Sequence, residues 1–445
     1  MLQSDILFAK TNPLKLFFRA AVPGTLGMLA GSVYGLLEGI FVGQFIGETA
    51  FAALNIAFPF VVNNFSLADL IGVGSAVPIS IYMGQGKDRE ADNTFTAAVL
   101  MIIAAGLIMG SLLFFFAPFL IQLLGAEGEL AKAAVEYIRI YALFSPATTI
   151  FFAMDNYWRI CGKIRGSMIL NILFSFMAGV LVFFFVVVFR LGVRGAALAT
   201  CISMILGVSI AVYPFLKGKE RLHFIKPKFS LDLVKRIMTT GLPTFLSNIA
   251  GRLTSIVLNM VLIFQGGEEA VAIYGILMYV GDIVQMILYG ICDSLQPAIG
   301  YNWGAGFKNR VKAIAKYCFT GSALVSIFSA AMMFAFPENA AALFVSSGDG
   351  HMIAASGGAV MIFSLTFLTR WIGFAAQSFL VAINQPLPAT VLSVANALVI
   401  PLILIALLWP LKLMGIWMNF PLTSLVIAVL SVILLLRVGK RKESI

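Results

Sequence analysis

The sequence predicts an all-α polytopic membrane protein, and its composition is the first reason. Of the 445 residues, 60% are hydrophobic and only 11% are charged, with a mean hydropathy of +0.99. Because an ordinary soluble domain is about 25% charged, a chain with so few charges cannot cover its apolar surface in water. A lipid bilayer solvates such a surface. The composition therefore excludes a soluble enzyme, a disordered regulator and a nucleic-acid-binding protein.

The second reason is a series of twelve apolar stretches, each long enough for the roughly 20 residues that a spanning helix needs. No strand-like alternation of polar and apolar residues competes with them. Several are longer than the bilayer requires, which predicts tilted or bent helices. The predicted spans are residues 17–43, 51–83, 94–124, 132–156, 167–189, 193–216, 237–264, 271–301, 314–336, 354–383, 389–409 and 413–436.

The third reason is the placement of lysine and arginine, because cytoplasmic loops are enriched in them. With the N-terminus in the cytoplasm, most of the 30 basic residues fall in cytoplasmic segments. The outer loops then hold only Lys132, Arg190, Arg194 and Lys412. Both termini are therefore predicted to be cytoplasmic, and the net charge of +10 reflects topology rather than a nucleic-acid site. No cleavable signal peptide is expected before the first span, which is predicted to be retained.

The two halves of the chain resemble each other at an offset of about 220 residues, which indicates an internal repeat. The segments that match are 34–54 with 255–275, 78–90 with 298–310, and 195–200 with 415–420. Six spans per half leave both copies in one orientation, so the prediction is two parallel six-helix repeats forming two lobes. The predicted domains are an N-terminal lobe (1–216), a cytoplasmic linker (217–236) and a C-terminal lobe with a cytoplasmic tail (237–445).

Four motifs resemble those of multidrug and toxic compound extrusion (MATE) transporters. DSLQPAIGYNWGAGFKNRVK (293–312) is similar to that family's QP…YNxGAxxxxRV signature, and GVGSAVPISIYMGQGKDREA is its counterpart in the first half. LLEGIFVGQFIG resembles the first-helix DxIFVGxxG pattern, and MDNYWRICGKIRGSMI resembles the NxxxRxxGxPxxxM turn. The resemblance covers essentially the whole chain and is strongest to the bacterial drug exporters.

The resemblance implies two six-helix bundles, alternating access, and export of amphipathic, often cationic compounds driven by inward Na⁺ or H⁺. It also implies a multi-pass protein of the bacterial cytoplasmic (inner) membrane. No cofactor is expected beyond the coupling ion. We expect small amphipathic substrates and the lipid bilayer as partners, no nucleic acid or partner protein, and a monomer.

Glu38 is the candidate cation-coupling residue. It lies in the first span among glycines at four-residue intervals (Gly35, Gly39, Gly43 and Gly47), which predicts close packing of another helix. An enclosed carboxylate is disfavoured in its ionised form, so it can hold and release a proton or Na⁺. It matches the position where the resembled family keeps a coupling aspartate, and its extra methylene favours a proton over a compact Na⁺ site. The alternative is a structural ion pair with an arginine.

The resemblance also implies an Asn and an Asp four residues apart in the fifth span. Those positions fall near Ala178 and Val182, and the surrounding FMAGVLVFFFVVVF carries no polar side chain. The usual first-lobe Na⁺ site therefore cannot be complete, which favours H⁺ while leaving Na⁺ at Glu38 open. Asn171, two turns before Ala178 on roughly the same face, is a substitute candidate.

Further intramembrane polar residues are candidates because such groups are costly in a bilayer. Those of the second half are Arg252, Asn259, Asp282, Gln285, Asp293 and Arg370. Asn259 is the repeat mate of Glu38, and we expect Arg252 to pair with Asp282 or Asp293. The stripe formed by Asp282, Gln285 and Asp293 either lines a cleft or buttresses the arginines.

In the first half the remaining candidates are Asp69, Asp155 and Arg139. Asp155 lies one turn from Arg159, which predicts a local ion pair, whereas the role of Asp69 stays open. The four separated cysteines and two loop histidines supply no metal centre.

The leading prediction for function is a cation-coupled antiporter, with H⁺ favoured over Na⁺. The alternative is a flippase for lipid-linked oligosaccharides or lipids, which would require Arg139, Arg252 and Arg370 to line one cavity. No HExxH, GxSxG or GxGxxG motif in a suitable context is present, so an enzyme is not expected.

Overall fold

A computed structural model describes residues 3–342 and 350–443, and the regular secondary structure in those ranges is entirely helical. Residues 1–2, 343–349 and 444–445 of the predicted lobes lie outside the described residues. The helices are α1 (Gln3–Asp5), α2 (Pro13–Phe45), α3 (Glu48–Gly84), α4 (Asp88–Leu123), α5 (Gly128–Ile160), α6 (Ile164–Val182), α7 (Gly192–Leu216), α8 (Leu231–Gly304), α9 (Lys308–Ala335), α10 (Pro337–Ala342), α11 (Gly350–Ser364), α12 (Phe367–Ala382), α13 (Pro386–Val394), α14 (Ile400–Leu407) and α15 (Lys412–Glu443). Shorter π- and 3₁₀-helical turns are Ile6–Lys10, Phe183–Val188, Ala395–Val399 and Trp409–Leu411. The predicted all-α class is confirmed.

Many of these helices have membrane length. Ten helices in the described ranges are long and apolar enough to cross a bilayer, and α11 with α12 adds an eleventh if that bent pair is one span. Several contain internal prolines, which spanning helices tolerate because neighbouring groups satisfy the freed backbone. The chain is a multi-pass membrane protein.

Helix α8 is where the observed elements differ most from the predicted spans. Its 74 residues join the predicted spans 237–264 and 271–301 without an intervening loop. The break between them is one residue, Gly267, with φ 66° and ψ −159°, a backbone conformation almost restricted to glycine. The residues on either side remain helical, so one glycine separates two helices.

A second break lies within the predicted span 354–383. Helices α11 and α12 are separated by two residues and are bent by 50° relative to each other. The backbone amides of Leu365 and Thr366 close tight i→i−3 turns at this break. Arg370 is therefore placed in the first turn of α12.

The chain forms two compact units. Unit 1 consists of Met1–Thr11, Leu26–Gly241 and Gly300–Gly306. At its centre α5 packs against α3, α4 and α7. The core is rich in alanine and tyrosine, and Ala53, Ala142, Tyr137 and Ala196 are all at most 4% exposed. Small side chains let these helices approach closely, as is typical of packing within a membrane.

Two repeated glycine turns meet inside unit 1, at the ends of α3 and α8. A β-carbon on Gly84 would lie 2.0 Å from the Tyr301 carbonyl oxygen, and one on Gly304 would lie 2.2 Å from the Ile81 carbonyl oxygen. These contacts are closer than any side chain allows. The matching motifs MGQG (83–86) and WGAG (303–306) therefore pack backbone to backbone.

The connector 217–230 is also part of unit 1, where it runs against α4. Asp92 accepts a hydrogen bond from the His223 amide at 2.8 Å, and Asn93 accepts one from the Lys228 amide at 2.6 Å. The Arg221 guanidinium binds Asp88 and Asp5, the latter in the N-terminal segment. Side chains thus replace the regular backbone hydrogen bonds that this segment lacks.

Unit 2 consists of Asn12–Thr25, Leu242–Ile299 and Phe307–Ile445. Within it α12 packs against α9 and α15, and α11 also packs against both. Its core is more aliphatic and includes the fully buried Leu262, Leu277 and Val360. The two rings of Phe363 and Phe367 meet edge to face at 5.5 Å.

Candidate functional site

Glu38 is the centre of a buried hydrogen-bonded cluster in unit 1. Its side chain is only 5% exposed. The hydroxyl of Tyr137, on α5, donates to Glu38 Oε1 at 3.1 Å, and that of Thr200, on α7, lies 3.4 Å from the same atom. Tyr34, one turn before Glu38 on α2, is hydrogen-bonded to Thr200. Side chains from three helices therefore meet around one carboxylate.

The aromatic rings that carry these hydroxyls are held by packing. The Tyr137 and Tyr141 rings lie 5.0 Å apart on one face of α5, because they are one turn apart. The Tyr34 ring packs edge to face on Phe174 of α6, with centroids 5.5 Å apart. The hydroxyls are thus fixed in position around the carboxylate.

No lysine, arginine or histidine of the described ranges forms an ion pair with Glu38. The structural ion pair, the alternative interpretation of Glu38, is therefore not found. Unpaired carboxylates in a membrane protein are costly and typically belong to ion pathways. Within the described residues, the hydrogen bonds to this carboxylate come from hydroxyl groups.

The close packing predicted for the glycine ladder is wrong. Nothing in the described chain lies within 4 Å of a β-carbon placed on Gly35. Those on Gly39 and Gly43 would make only ordinary contacts, at 3.5 and 3.8 Å, with the Phe51 ring. An aromatic side chain occupies the space beside this face, so no helix backbone approaches it.

The fifth-span positions that would complete a Na⁺ site are filled with apolar core. Ala178 and Val182 are both 0% exposed and lie in the same hydrophobic cluster as Tyr34. No group of three or more His, Cys, Asp or Glu residues suited to a metal ion occurs in the described ranges. The incompleteness of a Na⁺ site at these positions stays a prediction from the sequence.

Asp155 belongs to a second polar cluster in unit 1. It forms the ion pair expected with Arg159, at 2.6 Å, and the arginine is only 2% exposed. Asn171 donates to Asp155 Oδ1 at 2.7 Å, and Ser167 binds both Asp155 and Arg159. Within the described residues Asn171 makes no hydrogen bond to Glu38, so the structure does not join this substitute candidate to the Glu38 cluster.

In unit 2, Arg370 and Gln285 are brought together. Arg370 Nε donates to Gln285 Oε1 at 2.9 Å, and Gln285 is 8% exposed. Asp282, one turn before Gln285, is exposed and acts on Arg370 electrostatically. Asp293, two turns further along α8, instead accepts a hydrogen bond from Gln296 at 2.8 Å.

The predicted pairing of Arg252 with Asp282 or Asp293 is wrong. Arg252 forms no ion pair with a described residue, and its Nε is buried with no hydrogen-bond partner there. Asp282 interacts electrostatically with Arg370 of α12. Asp293 is hydrogen-bonded to Gln296, which lies on α8. Asn259 donates to the Ser255 carbonyl at 2.9 Å, within its own helix.

The two remaining charged candidates lie in different surroundings. Asp69 is half-buried on α3. Arg139 is exposed on α5, where its Nε donates to the Phe114 carbonyl at 3.2 Å and its guanidinium lies 5.4 Å from the Phe114 ring centre. A carbonyl and a ring thus hold Arg139 against α4.

Sequence reasoning missed the hydroxyls that surround Glu38. Tyr34 was open to prediction, because a residue four positions before Glu38 in a helix shares its face. Tyr137 and Thr200 carry no such signal, since they lie 99 and 162 residues away along the chain. Only the packing of α2 with α5 and α7 brings them together.

These helices define a multi-pass membrane protein, and a buried carboxylate held by hydroxyls alone is typical of proteins that move ions or substrates across a bilayer. The MatE family model matches residues 23–186 and again residues 243–407. The chain therefore belongs to the MatE family, and it is a transporter rather than an enzyme.

Similar proteins include curated bacterial exporters. The multidrug export protein MepA of Staphylococcus aureus is 26% identical over 410 residues, which are 89% of this chain and 88% of that protein. MepA of Staphylococcus saprophyticus is 27% identical over 409 residues, covering 88% of this chain and 87% of that protein.

Solved structures share the fold. A MATE protein crystallised in complex with MaL6 aligns with a TM-score of 0.93 at 22% identity over 100% of both chains. A MOP superfamily transporter from Pyrococcus furiosus, described as having a binding pocket of reverse polarity, aligns with a TM-score of 0.93 at 22% identity over 99% of both chains.

Proposed function

We propose that this protein is a multidrug exporter that expels amphipathic, often cationic organic compounds in exchange for an inward-moving cation, by alternating access. The MepA relatives are multidrug export proteins, which supports drugs as the substrates. The single observation that carries the coupling mechanism is Glu38, a 5% exposed carboxylate surrounded by hydroxyls. Binding of the cation at Glu38 favours one conformation and binding of the substrate the other, so differential affinity drives exchange.

H⁺ is the coupling ion that this site supports best. Na⁺ prefers several oxygen ligands around it, whereas the fifth-span positions that would supply them are Ala178 and Val182. A proton needs only the carboxylate itself, and the hydroxyls of Tyr137 and Thr200 can donate to its ionised form. Na⁺ at Glu38 is the competing assignment, and a transport experiment with separate pH and Na⁺ gradients distinguishes the two ions.

The membrane arrangement that goes with this function is twelve spans in two parallel six-helix lobes. This number is reached when α8 is counted as two spans, divided at Gly267, and α11 and α12 together are counted as one span. We place the protein in the bacterial cytoplasmic membrane as a monomer, with both termini in the cytoplasm, because most basic residues then face inward. The family model matches the chain twice, which supports its division into two related halves.

The test is transport of a cationic dye in proteoliposomes, with a pH gradient and a Na⁺ gradient imposed separately. We expect the pH gradient alone to drive uptake by the wild type. Glu38→Gln, which keeps the shape of the side chain but cannot ionise, should reduce uptake to that of protein-free liposomes. Glu48→Gln is the matched control, since Glu48 is an exposed acid of the same unit.

Two results would contradict this assignment. Uptake driven by Na⁺ alone would identify Na⁺ as the coupling ion, and full activity of Glu38→Gln would remove Glu38 from the mechanism. If neither gradient moves a cationic dye, export of drugs is refuted, and lipid-linked substrates should be tested next.

The flippase alternative depends on three arginines lining one cavity for a pyrophosphate. Arg139 lies on an exposed face of α5, held by the Phe114 carbonyl. It is therefore a poor phosphate ligand, and the support for a flippase is reduced to Arg252 and Arg370. A drug exporter remains the better-supported function.

A further inference from the structure

Arg370 is a cationic side chain deep in a predicted membrane span. It lies near the middle of span 354–383, immediately after the 50° bend between α11 and α12. Gln285, which accepts the hydrogen bond from its Nε at 2.9 Å, lies near the middle of span 271–301. A charged group at this depth is costly and marks a functional position by default.

The bond to Gln285 occupies only one edge of the guanidinium. Nη1 and Nη2 carry four further N–H donors, and neither group is hydrogen-bonded or ion-paired to a residue in the described ranges. The Phe367 ring lies 5.8 Å from the guanidinium carbon. Gln285 and Phe367 together orient Arg370, while its terminal donors remain available.

Asp282 does not neutralise Arg370 by direct contact. The two side chains interact electrostatically but lie farther apart than the 4.0 Å limit of an ion pair. Asp282 is exposed, and it sits one turn before Gln285 on α8. A separated anion and cation beside one another can bind the two charges of a zwitterion.

We propose that Arg370 binds the carboxylate of a zwitterionic amphipathic substrate, while Asp282 receives the cationic group of the same molecule. A carboxylate matches the two parallel donors of an arginine fork. A phosphate dianion fits less well, because the Asp282 carboxylate repels the extra charge. The proposal rests on the export function proposed above and names a substrate class for it.

Arg370 suits this role better than Arg252, the other arginine near the middle of a span in unit 2. Arg252 has a buried Nε without a hydrogen-bond partner in the described chain, so no side chain fixes its orientation. Arg370 is held in advance by a buried amide. Such preorganisation reduces the entropy that a ligand must overcome on binding.

The test compares two dyes that differ only in the charge of one group: rhodamine B, a zwitterion with a free carboxylate, and its ethyl ester, a cation. Binding of each to the purified full-length protein is followed by fluorescence polarisation. We expect Arg370→Gln to weaken binding of rhodamine B by about tenfold or more, as charge-assisted hydrogen bonds are lost. Binding of the ester should change by less than about twofold, which also reports that the variant is folded.

Arg139→Gln is the matched control, because it removes an arginine from a span without affecting Gln285. It should leave the affinities for both dyes unchanged. Equal weakening of both dyes by Arg370→Gln would overturn the proposal, as would unchanged binding of rhodamine B. Displacement of rhodamine B by inorganic phosphate more effectively than by acetate would overturn the assignment to a carboxylate.

The dye pair also separates this proposal from the export function. If the wild type exports the ester but neither binds nor exports rhodamine B, the Arg370 subsite is refuted and drug export stands. If rhodamine B binds through Arg370 but no gradient moves either dye in proteoliposomes, the subsite stands and cation-coupled export is refuted.

Discussion

Tyr137 and Tyr157 lie on the same helix, α5, and both are completely buried. The Tyr137 hydroxyl donates to Glu38 at 3.1 Å, whereas the Tyr157 hydroxyl is hydrogen-bonded to Ser75 at 2.8 Å. The two side chains therefore have the same chemistry and the same burial but different partners. At the scale of single residues, the hydrogen-bond partner is what distinguishes the role that we propose for Tyr137 from that of Tyr157.

We predict that Tyr137→Phe lowers the initial rate of proton-driven transport by about tenfold, since a hydrogen bond to a charged group contributes about 1.5–3 kcal/mol. Tyr157→Phe should leave the rate near that of the wild type. Both rates are measured in proteoliposomes under an imposed pH gradient. A similar loss in both variants would indicate a general packing effect rather than a role for the bond to Glu38.

At the residue level, the ion pair predicted between Asp155 and Arg159 is confirmed, and the coupling role of Glu38 stays a prediction. The ion pair depends only on positions four apart in one helix, which sequence spacing reports. The partners assigned to Arg252 were wrong, because they required two different parts of α8 to meet. Pairing between helices depends on rotation about each helix axis, which no local pattern records.

At the scale of elements, α8 illustrates how one residue divides a helix. The two predicted spans are recognisable by composition, but the segment between them contains neither proline nor a long polar loop. Gly267 adopts φ 66°, where a side chain strains the backbone, and a β-carbon there would meet no neighbouring atom. The constraint at this position is therefore conformational rather than steric.

Replacing Gly267 with alanine should lower the free energy of unfolding by about 1–3 kcal/mol, the usual cost of such strained backbone. Gly251→Ala is the matched control. Gly251 lies in the helical part of α8 with nothing within 4 Å of its added β-carbon, so alanine there should stabilise the helix slightly. Thermal unfolding in detergent compares the two. A larger loss at Gly251 than at Gly267 would contradict this account of the break.

At the scale of the whole molecule, the two halves have diverged in chemistry while keeping a related sequence pattern. Glu38, Tyr34 and Thr200 of the first half correspond to Asn259, Ser255 and Phe420 of the second. Asn259 bonds only to the carbonyl of its own helix among the described residues, so no acidic cluster is repeated there. We infer that the first half carries the coupling ion, and that the second contributes to substrate recognition through Arg370.

The predicted orientation is tested by cysteine labelling. The four native cysteines are buried, so their background reactivity should be low. Lys226→Cys, at an exposed position in the connector 217–230, should react with a membrane-impermeant maleimide in inside-out vesicles but not in intact cells. Lys132→Cys, exposed near the start of α5, should show the opposite pattern. Labelling of both variants from one side would refute the assigned topology.

The sequence by itself determined the membrane class, the helical fold and the family. Each of these depends on composition, on runs of apolar residues or on motifs, all of which are local along the chain. The tertiary structure decided what surrounds Glu38, because Tyr137 and Thr200 come from distant helices. It also decided that a phenylalanine ring lies beside the glycine ladder and that Arg370 binds Gln285. These contacts are set by how helices rotate and pack, and many local sequences are compatible with each arrangement.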